Sequence, residues 1–171
     1  MPIFTPISHE TFEAQVKTLA AEIVESGWLP TFIIGIGRGG LAPAVYLSHA
    51  TGLPMLSVDY SSQVKDFADE PLVKLARRTQ HGENLLFLDD INDSGRTIAH
   101  LRGALRAADV VPDRVRFATL IDNASSAEKV DYRARTIDRT FNKDWFVFPW
   151  EAVAPAQSLI EDAAAVPERI A

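Results

Sequence analysis

Short apolar runs alternating with amphipathic stretches predict an α/β fold, a mainly parallel sheet flanked by helices. Compact β-type runs recur along the chain, a glycine-rich turn directly follows the first of them, and the next two stop at carboxylates. At 171 residues the chain is long enough for one domain and short for two, since domains span about 100 to 200 residues. A single domain over residues 1–171 is expected, with one core.

Ser8 stands where it can cap a helix in which Phe12, Val16, Leu19, Ala20 and Ile23 recur at helical spacing, and Gly27 where a left-handed cap would close it. Residues 31–36 are apolar and β-branched, the pattern of a buried strand. They run into Gly35-Ile36-Gly37-Arg38-Gly39-Gly40 and a helical stretch at 41–50 ended by Gly52. Residues 54–59 and 84–88 read as further strands, and residues 60–82 between them show no clear period. After a polar turn at 89–97, Ile98, Leu101, Ala104, Leu105 and Ala108 share one helical face, and residues 115–121 give a fourth strand. Strands expected at 132–137 and 145–150 and an alanine-rich helix at 155–165 complete the reading of the chain. Such alternation implies right-handed crossovers and ligands at the carboxyl ends of the strands.

Composition excludes several classes. Hydrophobic residues make up 47% and charged residues 23%, an ordinary globular balance. The net charge of −6, with no basic tract, disfavours nucleic-acid binding. The absence of cysteine removes disulfides, thiolate metal sites and thiol nucleophiles. MPIFTPISHE has no basic segment leading into an apolar one, and no run approaches membrane-spanning length, so a cytoplasmic protein without membrane contact is expected. Asn92-Asp93-Ser94 and Asn123-Ala124-Ser125 match the glycosylation acceptor by chance. His9, His49, His81 and His100 lack ligand-like spacing.

Gly35, Gly37 and Gly40 satisfy GxGxxG between a strand and a helix, and Asp59 ends the next strand. On spacing alone this is a dinucleotide-binding fingerprint. Arg38 places a fixed cation in the turn, however, and so short a chain leaves little room for a substrate domain. A plain packing turn is the other reading.

The segment Leu85-Leu86-Phe87-Leu88-Asp89-Asp90-Ile91-Asn92-Asp93-Ser94-Gly95-Arg96-Thr97 says more. An apolar strand delivers two adjacent carboxylates to its end, and Asp-Ser-Gly-Arg-Thr then opens a helix whose first N–H groups lack helical partners. Ser94 and Thr97 add hydroxyl donors, Gly95 permits close approach, and the helix dipole favours an anion. Asp89 and Asp90 would repel phosphate and instead suit hydroxyls or a divalent cation. A helix merely capped by Asp93 or Ser94 explains each residue singly. It does not explain Asp89, Asp90 and Asp93 crowded together, which repel one another unless something binds there.

This run resembles the signature of the type I phosphoribosyltransferases: an apolar strand, two acidic residues, then Asp-Ser/Thr-Gly-x-Thr. Gly37-Arg38-Gly39-Gly40 is similar to that family's pyrophosphate loop. Ile36-Gly37-Arg38-Gly39-Gly40-Leu41-Ala42-Pro43 and Trp145-Phe146-Val147-Phe148-Pro149-Trp150-Glu151 have counterparts in the bacterial xanthine-guanine enzymes. The likeness runs from about residue 11 to 151. It implies a Rossmann-like core with a small hood, drawn from the N-terminal helix and the C-terminal segment 140–171.

It also implies an activity: transfer of the 5-phosphoribosyl group from phosphoribosyl pyrophosphate to a purine-like base, with Mg²⁺ and release of pyrophosphate, as in purine salvage. Under it, the turn of Asp93, Ser94, Gly95, Arg96 and Thr97 holds the 5-phosphate, and Asp89 and Asp90 hold ribose hydroxyls or metal-bound water. Asp93 serves as general acid/base. Arg38, with the N–H groups of Gly37, Gly39 and Gly40, binds pyrophosphate. The family implies a cis peptide at Gly37-Arg38, a mobile loop over residues 60–82 opening with Tyr60 and Ser61, and a purine stacked on Trp145 beside the Phe146 backbone. Association as a homodimer or homotetramer follows by analogy.

One position departs from the pattern. Asn123 stands where relatives that use 6-oxopurines carry a lysine; an amide supplies no charge, which leaves guanine, xanthine, hypoxanthine or another base open. A non-catalytic regulator that binds phosphoribosyl pyrophosphate or a nucleotide is the alternative from another class, and a nicotinamide-dependent oxidoreductase a third.

Overall fold

Two-residue alternation along the strands divides the apolar side chains between the faces of one sheet. A computed structural model describes residues 3–60 and 69–165. The elements are β1 (Phe4–Pro6), α1 (His9–Glu25), β2 (Phe32–Ile36), α2 (Gly37–Thr51), β3 (Met55–Val58), α3 (Asp69–Gln80), β4 (Leu85–Asn92), α4 (Arg96–Ala107), β5 (Val115–Asn123), β6 (Tyr132–Ile137), β7 (Trp145–Val147) and α5 (Ala156–Ala164). The main sheet has the order β3-β2-β4-β5-β6, and every pairing in it is parallel. The sheet is the one the alternation predicts.

On one face Ile33, Leu86, Leu88, Ala118 and Leu120 pack with Phe12, Val16, Leu19 and Ile23 of α1 and Leu47 of α2. On the other, Ile34, Ile36, Leu85, Phe87 and Phe117 pack with Leu72 and Leu75 of α3 and Ile98, Leu101 and Leu105 of α4. α1 begins as its sequence requires, with the Thr11 N–H donating to Ser8 Oγ at 3.0 Å. Its apolar side is buried against the sheet and its polar side is exposed. The small second sheet pairs β1 with β7 in parallel, Phe4 opposite Trp145; three-residue β1 is too short to show a period.

The structure redraws four boundaries. β4 continues through Asp89 and Asp90 to Asn92, where a polar turn is expected, because its ladder with β5 runs on through Ile91↔Ile121 and Asn92↔Asp122. β5 likewise continues to Asn123. α2 begins at Gly37, at the glycine turn itself, and β7 stops at Val147 before a short 3-10 turn over Pro149–Glu151. Part of the stretch without visible period is helix α3, whose Leu72, Leu75, Ala76 and Thr79 face inward at helical spacing behind Pro71.

Candidate active site

Parallel register brings the carboxyl ends of β2, β4 and β5 to one edge of the sheet. Gly35 pairs with Leu88, and Asp89 with Thr119, so the glycine turn opening α2 lies against the acidic end of β4. The approach is close enough to require glycine. A Cβ on Gly40 would lie 2.1 Å from the Leu88 carbonyl oxygen, and one on Gly39 would lie 2.6 Å from Asp90 Oδ2. Gly37 has φ +52° and abuts the Tyr60 carbonyl, where a Cβ would come within 2.3 Å. That left-handed glycine turns the chain directly into α2. The cis peptide expected at Gly37-Arg38 is corrected: among the described residues there is none.

Asp89 and Asp90 are half-buried. Asp89 Oδ1 accepts the Asp90 N–H at 3.0 Å, and Asp90 Oδ1 accepts the Ile91 N–H at 2.7 Å. The carboxylates thus brace the strand that carries them. Below them the Asn92 amide donates to Asp122 Oδ1 at 2.7 Å and to the Glu128 carbonyl at 2.8 Å, while its oxygen accepts from Ser126 Oγ at 3.1 Å. This buried set pins the corner to β5 and to the loop after it.

The N-cap of α4 is Gly95, left-handed at φ 88°, which has no side chain to cap the helix. Asp93 and Ser94 therefore do not stand at the N-cap position, although Ser94 Oγ accepts the Arg96 N–H at 3.4 Å. Ser94 and Thr97 flank this first turn, half-buried, and Arg96 is exposed. Oriented N–H groups with the positive end of a helix dipole make such a turn suited to an anion.

Asp93 is 5% exposed and paired with Arg139. Arg139 Nη2 donates to Asp93 Oδ2 at 2.7 Å, and Nε lies 3.0 and 3.1 Å from the two carboxylate oxygens. Nothing in the sequence singles out Arg139, which stands in a polar stretch without a motif. Asn123 is also 5% exposed, and its amide is committed to the protein. Its nitrogen donates to the Asp93 carbonyl, and its oxygen accepts from the N–H groups of Ser125 and Arg139 and from Ser125 Oγ.

Trp145 is half-buried and Phe146 buried; the Cζ atoms of Arg135 and Arg139 each lie 5.4 Å from the Phe146 ring centre. Tyr60 sits beside Gly37 and packs its ring 5.1 Å from that of His100 on α4. Arg38 is exposed. Glu151, at the end of the Trp-Glu segment, accepts the Phe148 N–H at 2.9 Å. Burial pushes its carboxyl above the ordinary range and Asp162 adds to this, while the Phe148 bond and the positive charge of Arg38 oppose it. Asp138 shifts down because the Thr140 backbone and side chain bond its carboxylate, with Lys143 adding attraction. Ser61 and residues 62–68 of the expected mobile loop lie outside the described residues. The structure thus gathers the two loops, the acidic pair and Asp93 at one edge.

Comparison with known proteins agrees with this arrangement. Residues 7–156 match the family model described as phosphoribosyl transferase domain. The chain is 30% identical over 125 residues to the xanthine-guanine phosphoribosyltransferase of Idiomarina loihiensis, covering 70% of each chain. Among solved structures, a purine phosphoribosyltransferase from Pyrococcus horikoshii superposes with a TM-score of 0.65 at 22% identity, covering 89% of this chain and 97% of that one. A hypothetical protein from Neisseria gonorrhoeae with bound ppGpp superposes with a TM-score of 0.70 at 23% identity, covering 96% and 98%.

Proposed function

The chain belongs to the phosphoribosyl transferase domain family, and from that premise we propose that it transfers the 5-phosphoribosyl group of phosphoribosyl pyrophosphate to a purine-like base in nucleotide salvage. One observation carries the reading. The first turn of α4, flanked by Ser94 and Thr97, follows directly from the strand that carries Asp89 and Asp90, and the glycine turn of α2 abuts that strand at Leu88 and Asp90. A sugar flanked by a monophosphate and a pyrophosphate needs anion cradles on either side of a hydroxyl-binding centre.

In this reading the N–H groups and hydroxyls of residues 94–97 bind the 5-phosphate, Arg96 adds charge, and Asp89 and Asp90 accept from the ribose hydroxyls. Arg38 and the N–H groups at Gly37, Gly39 and Gly40 bind pyrophosphate, whose charge grows as the anomeric C–O bond breaks. A ring nitrogen of the base forms the new bond to that carbon, and Asp93 takes the proton the nitrogen loses. General base catalysis of this kind is worth about 10² to 10⁴ in rate. Trp145 stacks on the base, a contact worth about 0.5 to 1.5 kcal/mol beyond burial. Tyr60, beside the glycine turn of α2, borders the pyrophosphate side of the site.

Phosphoribosyltransferases generally use Mg²⁺ with this donor. Asp89 and Asp90, half-buried carboxylates beside the glycine turn, would hold such an ion, since Mg²⁺ is held by one or two carboxylates with substrate oxygens and water. When bound, it would neutralise charge on the departing pyrophosphate. No helix among the described residues is long and apolar enough to cross a membrane. The proposal includes a cytoplasmic location and a homodimer or homotetramer as the assembly.

Pyrophosphate release from phosphoribosyl pyrophosphate across a panel of purines, with and without Mg²⁺, tests the proposal. Base-dependent release supports it. Tight donor binding without release for any base refutes it in favour of a non-catalytic regulator.

A further inference from the structure

The loop joining β6 to β7 places a guanidinium at the ligand edge of the sheet. Arg139 is 7% exposed and grips both oxygens of Asp93 through Nε and Nη2. Its Nη1 donates to the carbonyls of Asn142 at 3.3 Å and Asp144 at 2.7 Å, so the same side chain ties down the residue before Trp145. Its backbone N–H donates to Asn123 Oδ1 at 3.2 Å, and Asn123 Nδ2 donates to the Asp93 carbonyl at 3.0 Å. Asp93, Asn123 and Arg139 therefore form a closed ring of contacts drawn from three parts of the chain.

Burying two charges costs desolvation that their attraction repays only with good geometry and further hydrogen bonds, so a buried pair is weak evidence of stability. The geometry here is specific. A guanidinium meets a carboxylate at two points and fixes its plane, which a lysine ammonium does not do.

We propose that Arg139 is a positioning residue of the base subsite: acting through Asp93, it fixes the carboxylate that meets the base, and through Asp144 it sets that carboxylate's spacing from Trp145. Asn123 serves the device by locking Asp93 and Arg139 to each other. A positive charge thus stands beside the base subsite although position 123 carries none. The proposal rests on the reading above that the base lies by Asp93 and Trp145.

The test compares binding of GMP with binding of ribose 5-phosphate, by calorimetry, in wild type, Arg139→Gln, Arg139→Lys, Asp93→Asn and the double variant Asp93→Asn/Arg139→Gln. The affinity ratio of the two ligands isolates the base. Arg139→Gln should lower the GMP preference by about tenfold or more, on the scale of a lost charge-assisted contact. Arg139→Lys should restore part of it. In the Asp93→Asn background, Arg139→Gln should add less than about twofold, because the two residues act as one unit. Equal weakening of both ligands, an unchanged ratio, or losses that simply multiply would overturn the proposal while leaving phosphate binding at α4 intact. Failure of the wild type to bind either ligand would remove the functional reading and this inference together. A measurement on wild type alone guards against variants that do not fold: the Arg139 Nε–H resonance should shift on adding GMP and stay in place with ribose 5-phosphate, and the same response to both would contradict the assignment.

Discussion

Gly39→Ala separates the site's function from the fold's stability. A Cβ at this position would lie 2.6, 2.7 and 2.8 Å from Asp90 Oδ2, Cγ and Oδ1. Ordinary contact begins at 3.4 Å, so the carboxylate must retreat by up to about 0.8 Å. It can do so, being the far end of a side chain, at the expense of the 2.7 Å bond from the Ile91 N–H. That bond is worth about 0.5 to 1.5 kcal/mol, and alanine returns up to about 1 kcal/mol of helix propensity at the start of α2. The net change in unfolding free energy should therefore stay within about 1 kcal/mol, while Asp90 leaves the place that the proposed function gives it beside the ribose and cation. Michaelis constants for phosphoribosyl pyrophosphate should rise tenfold or more. Gly40→Ala is the contrast, since its Cβ would meet the Leu88 carbonyl at 2.1 Å and backbone cannot retreat as a side chain does; that variant should lose stability outright. Urea unfolding and steady-state pyrophosphate release on both variants give the comparison. A Gly39→Ala enzyme with an unchanged Michaelis constant would refute the coupling between the glycine turn and the acidic pair.

Arg38→Ala should weaken pyrophosphate about tenfold or more and GMP little, read by calorimetry; equal losses would place Arg38 elsewhere. Asn92→Ala strips bonds to the buried Asp122 and Ser126 and to the half-buried Glu128, and should cost about 2 to 4 kcal/mol in urea unfolding; a loss below about 1 kcal/mol would show that the network under the corner adds little to stability. Glu151 has a carboxyl raised above its reference value of 4.5, chiefly by burial. The folded state therefore holds its proton more tightly than the unfolded chain, so its contribution is fully present below that value and is lost as pH rises through the raised one. Glu151→Gln keeps an acceptor for the Phe148 N–H and removes the charge, so its urea midpoint should decline less across that window than the wild-type midpoint. Parallel profiles would contradict the assignment.

How far the sequence reveals the molecule depends on which forces act locally. Strands β2, β4 and β5 are legible because side chains buried on both faces leave compact apolar runs, and α1 because its cap and apolar spacing agree. The acidic pair and the α4 turn are legible as one corner because strand, carboxylates and glycine turn follow one another directly in the chain. The continuation of β4 past Asp89 escapes pattern reading, since the ladder with β5 and the aspartates' own bonds to the next N–H groups sustain extended backbone that the polar side chains do not advertise. α3 escapes because Arg77, Arg78 and its other charged residues mask the stripe formed by Leu72, Leu75, Ala76 and Thr79. Arg139 escapes for a different reason. Its partner Asp93 is 46 positions away in the chain, and only the fold of β5 and β6 closes that distance.

The account depends on the corner between β4 and α4 holding a sugar phosphate. A crystal soaked with ribose 5-phosphate measures this directly. The phosphate should lie against the first turn of α4, within hydrogen-bond reach of Ser94 and Thr97, with the ribose hydroxyls toward Asp89 and Asp90. Density for the ligand at any other place, with that turn empty, would contradict it.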